Sequence, residues 1–81
     1  MRVVATLNKH PKITTTIFQM NEKYIIKFEA GNMEQVFKIA QTEVSGIDAI
    51  DKMLTESFIT KVIERFNEMF VSFKGTKDQD N

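Results

Sequence analysis

Apolar and polar residues alternate along positions 1–40, and the spacing then becomes helical, so the chain divides near Ala40 into a strand-forming part and a helix-forming part. Four runs carry the two-residue period: Arg2 to Leu7, Ile13 to Met20, Lys23 to Ala30 and Met33 to Ala40. Each is bounded by turn chemistry. Asn8-Lys9-His10-Pro11-Lys12 contains a proline that cannot donate to a ladder, Asn21-Glu22 is a short polar break, and Gly31-Asn32 suits a two-residue turn with positive φ at its first position. The expected arrangement is a meander of hairpins.

Pairing must keep the apolar residues on one face, which tests the register. With Gly31-Asn32 as loop, Phe28 faces Gln35, Ile26 faces Phe37 and Tyr24 faces Ile39. With Asn21-Glu22 as loop, Ile17 faces Ile26. A five-residue loop after Leu7 puts Val3 opposite Ile17, Ala5 opposite Thr15 and Leu7 opposite Ile13. The inner face then reads, row by row, Val3-Ile17-Ile26-Phe37, Ala5-Thr15-Phe28-Gln35 and Leu7-Ile13-Ala30-Met33, and the outer face carries Arg2, Thr6, Thr14, Thr16, Lys27, Glu29, Glu34 and Lys38, interrupted by Val4, Phe18, Ile25 and Val36.

In the helical part, Ser45 with Asp48 three residues on is a capping-box signal for a short helix over Ile47 to Leu54. Thr55 is positioned to cap a second helix from Glu56 to about Lys74, with Gly75 as its stop. At about 100° per residue, Phe58, Met69, Val62, Phe73, Phe66, Ile59, Phe70 and Ile63 fall within an arc of roughly 140°. Ile47, Ile50 and Leu54 are displaced from that arc, which predicts a break near Thr55 rather than one straight helix. The fold class expected is α+β: a four-stranded antiparallel β-meander followed by a short helix and a long C-terminal amphipathic helix packed on one sheet face, a two-layer ββββα arrangement. Residues 1–74 form the single domain, and residues 75–81, without a side chain worth burying, form a disordered tail.

Composition adds constraints. A chain of 81 residues has an unfavourable surface-to-volume ratio, and with no Cys it lacks a disulfide framework, a thiolate metal site and a cysteine nucleophile. Packing, shared or not with a second chain, must hold it together. The N-terminus reaches Asn8 and Lys9 too soon for a signal peptide, and no stretch approaches a membrane span, so a cytoplasmic protein without membrane contact is expected. Eleven basic residues balance eleven acidic ones, with residues 1–40 mildly positive and residues 41–81 mildly negative. This asymmetry fits intramolecular or subunit complementarity better than nucleic acid.

Candidate chemistry is sparse. His10 is the only histidine and has no partner at catalytic or metal-ligand spacing. Asp48 with Asp51, and Glu64 with Glu68, have helical spacing, but without a histidine among them they read as solvated helix faces. The glycines stand too far apart for a phosphate cradle. Neither enzyme activity, nor a metal, nor a cofactor is expected. Surplus apolar surface is the informative anomaly: Val4, Phe18, Ile25 and Val36 on the outer sheet face, and Ile63, Phe70 and Val71 toward or beyond one flank of the helical arc, form the candidate interaction surface. The expected function is therefore a small noncatalytic protein-interaction domain, homodimeric or bound to a protein partner. An alternative is single-stranded nucleic-acid binding by the outer face, where Arg2, Phe18, Lys27 and Lys38 lie together. The order of four strands then a helix resembles that of Pur repeats and whirly-type domains over most of the chain, and that resemblance implies single-strand binding. A further alternative is a small-ligand-binding domain.

Overall fold

The computed structural model describes residues 1–79. Four strands, β1 (Arg2–His10), β2 (Ile13–Met20), β3 (Lys23–Ala30) and β4 (Met33–Ala40), form one antiparallel sheet in the order β1-β2-β3-β4. A single 3₁₀ turn at Gln41–Glu43 leads to the short helix α1 (Ile47–Met53) and the 24-residue helix α2 (Glu56–Gln79). The chain is thus α+β in two layers, with α2 contacting the sheet.

The turns explain the meander. Asn21 and Glu22 both take positive φ, 51° and 64°, the conformation a tight two-residue hairpin needs at both positions. At the next hairpin only Gly31 is positive, at 61°, matching a turn whose first central residue is glycine. Both loops set the register expected from the apolar pattern: Ile17 faces Ile26, Ile26 faces Phe37, Phe28 faces Gln35 and Tyr24 faces Ile39.

The first strand departs from expectation. β1 continues through Asn8 and Lys9 to His10, and the loop shrinks to Pro11-Lys12. Proline's fixed φ suits a turn's first central position, and His10 Nδ1 accepts the Lys12 amide N–H at 3.1 Å, tightening it. Consequently Ala5 faces Ile17 and Leu7 faces Thr15, two residues away from the register inferred with a longer loop. Register shifts between Val3 and Ala5 and between Leu7 and His10 each place one extra residue on β1.

The core lies between the inner sheet face and the helices. Ile13, Ile17, Ile26 and Phe28 from the sheet meet Ile50 and Leu54 of the α1 region and Ile59, Val62 and Phe66 of α2. The break falls at Leu54-Thr55. Thr55 Oγ1 accepts the Phe58 amide N–H at 3.2 Å, the capping bond expected of it. At α1, by contrast, Gly46 occupies the capping position without a side-chain bond, so the Ser45/Asp48 capping box does not form. Lys9 ties β1 to α1 through an ion pair with Asp51 and a bond from its Nζ to the Asp51 carbonyl at 3.0 Å. Gln35 Nε2 donates to the Val62 carbonyl at 2.9 Å and fixes the height of α2 over β4.

Gly75 does not end α2. Glycine permits the left-handed stop conformation without requiring it, and here φ is not positive, so the helix runs on to Gln79. Thus residues 75–79, expected to be a disordered tail, belong to the helix, while Asp80 and Asn81 lie outside the described residues.

Candidate interaction surface

Each residue singled out in the sequence has a definite environment. Val4 sits at the first β1 bulge and packs against the core, so it does not belong to the outer face. The bulge turns Val3 outward instead: Val3 pairs with Phe18, is 55% exposed, and stands in the row Val3-Phe18-Ile25-Lys38. Ile25 is buried in this row although no layer covers it, because its neighbours Phe18 and Lys38 flank it on a central strand. Phe18 is half-buried, with the Lys27 ammonium 5.1 Å from its ring centroid. Val36 is exposed on β4. Ile63 packs against the core, whereas Phe70 and Val71 are exposed on α2. The structure therefore brings Phe18 and Ile25 together, but separates them from the helix residues by the thickness of the sheet.

Two exposed aromatics escaped the sequence reading of the surface. Phe37 points to the inner face, but β4 is the sheet edge, and 40% of the residue remains exposed. It is held there by ring contacts with Phe28 at 6.0 Å and Phe58 at 5.6 Å. Phe73, 61% exposed, lies on α2 beyond the strands that would cover it. The signal was the length mismatch: 24 residues at 1.5 Å give α2 about 36 Å, against about 27 Å for an eight-residue strand.

Phe37 stands at the β4 edge, and Phe73 lies over the turn end of the same strand. A shallow groove lined by Gln35, Met69 and Phe73 runs along α2 above the β4 edge. Where α2 passes the Gly31-Asn32 turn, Met33, Phe70 and Phe73 line a second cleft, rimmed by Lys74 and Lys77. Phenylalanine offers roughly 150–250 Å² of contact area, so the exposed fractions of Phe37 (40%), Phe70 (57%) and Phe73 (61%) leave on the order of 300 Å² of aromatic surface.

Elsewhere the surface offers less. A cleft between the end of β1 and the start of α2 gathers Lys9, His10, Glu56 and Glu64, but Lys9 is engaged by Asp51 and His10 Nδ1 by the turn amide. Among the described residues no group of three His, Cys, Asp or Glu is placed to hold a metal ion, and no helix is long and apolar enough to cross a membrane. On the outer face the single aromatic is capped by Lys27, which itself pairs with Glu29 at 3.3 Å, and Glu34 lies across from Glu29. That face offers a nucleic acid neither a free stacking ring nor a uniformly positive field. Comparison of the chain with protein-family models, with curated proteins and with solved structures finds no match.

Proposed function

We propose that this chain is a noncatalytic protein-interaction domain that associates with a second copy of itself through the β4 side of the molecule. The observation that carries the reading is the exposure of Phe37 at the uncovered β4 edge, together with that of Phe73, which lines the groove over that edge and, with Phe70, the cleft at the Gly31-Asn32 turn beyond it. A small chain without disulfides has little reason to keep three large aromatics in water unless another surface covers them. The same side carries charges of both signs, Glu34, Lys38, Arg65 and Glu68, which suits a surface that must complement itself. Sedimentation equilibrium from about one to several hundred micromolar tests it: a mass rising toward twice the 9.4 kDa chain is expected, and a strict monomer throughout removes the self-association.

A further inference from the structure

The two edges of the sheet are not equivalent. β1 is interrupted by two register shifts, which twist an edge and spoil it as a pairing template, whereas β4 pairs with β3 without interruption over its eight residues. The two-residue turn Gly31-Asn32 makes Ala30 and Met33 the hydrogen-bonded closing pair of that hairpin. Alternation then directs the backbone groups of Met33, Gln35, Phe37 and Ile39 to β3, and those of Glu34, Val36 and Lys38 outward, toward the open edge. Outside the elements themselves, no backbone bond among the described residues engages those three.

We infer that self-association occurs by antiparallel pairing of β4 with β4 of the second copy about a two-fold axis at Val36, joining two four-stranded sheets into one of eight strands. This rests on the self-association reading above and specifies its geometry. In that register Glu34 stands opposite Lys38 of the partner copy, and Lys38 opposite its Glu34. Both are exposed, and neither takes part in the ion pairs Lys9–Asp51, Lys27–Glu29 or Lys61–Glu64 of the single chain. Val36, 48% exposed, meets Val36 across the axis; on the inner face Phe37 faces Gln35 and Met33 faces Ile39.

Other registers lose this match. Moving the axis to Gln35 or Phe37 sets Glu34 against Val36 or Ala40, and moving it to Glu34 or Lys38 sets like charges against each other. An odd shift pairs inner with outer residues and puts the helices on opposite faces. The axis at Val36 exchanges about six backbone hydrogen bonds, from Glu34, Val36 and Lys38 of each copy. Such bonding is needed, because the exposed rings of two copies, about 300 Å² in each, fall short of the roughly 1,200–2,000 Å² that stable complexes bury. Both helices then lie on the same face of the joined sheet, so the groove between α2 and the β4 edge opens onto its symmetry mate. The bulged β1 edge cannot repeat the contact, and assembly closes at two copies.

The test is a charge swap read by sedimentation equilibrium, with far-ultraviolet circular dichroism confirming that each variant is folded. Glu34→Lys or Lys38→Glu places like charges opposite each other twice in every dimer, and each should weaken association about tenfold or more. The double variant Glu34→Lys/Lys38→Glu restores opposite pairs and should return to within about threefold of wild type, with the differences shrinking in high salt. Single variants that associate as wild type overturn edge pairing while leaving self-association through another surface standing. A double variant as weak as the single ones overturns the register. A wild-type chain that stays monomeric removes both readings.

Discussion

Among the described residues Thr15 is the one fully buried polar residue of the core, at 0% exposure, and its hydroxyl oxygen has no hydrogen-bond partner. It stands on the inner face between Leu7 and Phe28, where an alternating strand would otherwise place an aliphatic side chain. Valine has nearly the same shape, so Thr15→Val exchanges the stranded hydroxyl for a methyl with little repacking. Burying a hydroxyl without a partner costs about 1–3 kcal/mol by mutational measures, and the added methyl contributes further apolar burial of under about 1 kcal/mol. The substitution should therefore stabilise the domain by about 1–2 kcal/mol, which for a chain of this size corresponds to a rise of roughly 5–15 °C in melting temperature. Urea unfolding at fixed protein concentration is the appropriate assay, since self-association would couple stability to concentration. The midpoint should rise with an unchanged m value. Thr14→Val, on the exposed face of the same strand, is the control and should stay within about 0.5 kcal/mol of wild type. A midpoint for Thr15→Val at or below wild type would mean that the hydroxyl is satisfied in the folded protein, and the reasoning from a stranded donor would be wrong.

Three further outcomes are expected. Phe66→Ala removes a ring that is 4% exposed between α2 and the sheet and should cost about 3–5 kcal/mol in the same assay, enough to leave so small a domain largely unfolded. Thr55→Ala deletes the oxygen that caps α2 and should cost about 1 kcal/mol, with Thr55→Ser retaining most of it. Gly75→Ala tests whether α2 continues: with no atom within 4 Å of an added Cβ and no positive φ, alanine should raise helicity in circular dichroism, whereas a glycine stop would make it lower.

The sheet from β2 to β4 was legible because two short loops and a strict two-residue period leave one register that buries Ile17, Ile26 and Phe28 together. The helix break was legible because Ile50 and Leu54 could not share a stripe with Ile59, Val62 and Phe66, and all five are buried once α1 and α2 separate. β1 was not. An extra residue at a bulge has no periodic signature, so Val3 and Val4 exchanged faces and the strand ran three residues further than its apolar pattern. Gly75 misled for a related reason: conformational permission leaves the outcome to the flanking residues, and Thr76 to Gln79 are compatible with helix. On the candidate surface, Val36 and Phe70 could be picked out as outward-facing apolar residues. Phe37 and Phe73 could not be, since both fit the inner pattern and are exposed only because the sheet ends beside one and below the other.

That distinction bears on where the proposed second copy would bind. A residue pointing away from the core by its sequence phase, such as Phe18, finds neighbours on its own face: Ile25 beside it and Lys27 over its ring bring it to half-burial without another chain. A residue in phase with the core but stranded at its margin has no such recourse. Phe37 already spends its inner edge on Phe28 and Phe58, and what remains exposed faces the side where a fifth strand would lie. The same side holds the outward backbone groups of Glu34, Val36 and Lys38, which in the single chain only water can satisfy. An added strand satisfies the backbone and covers Phe37 in one step, and it would bring both effects to a surface that neither the apolar rings nor the open edge could hold alone. Of the strands this chain can offer, β1 is bulged and β2 and β3 are already paired on both sides, which leaves β4 of another copy.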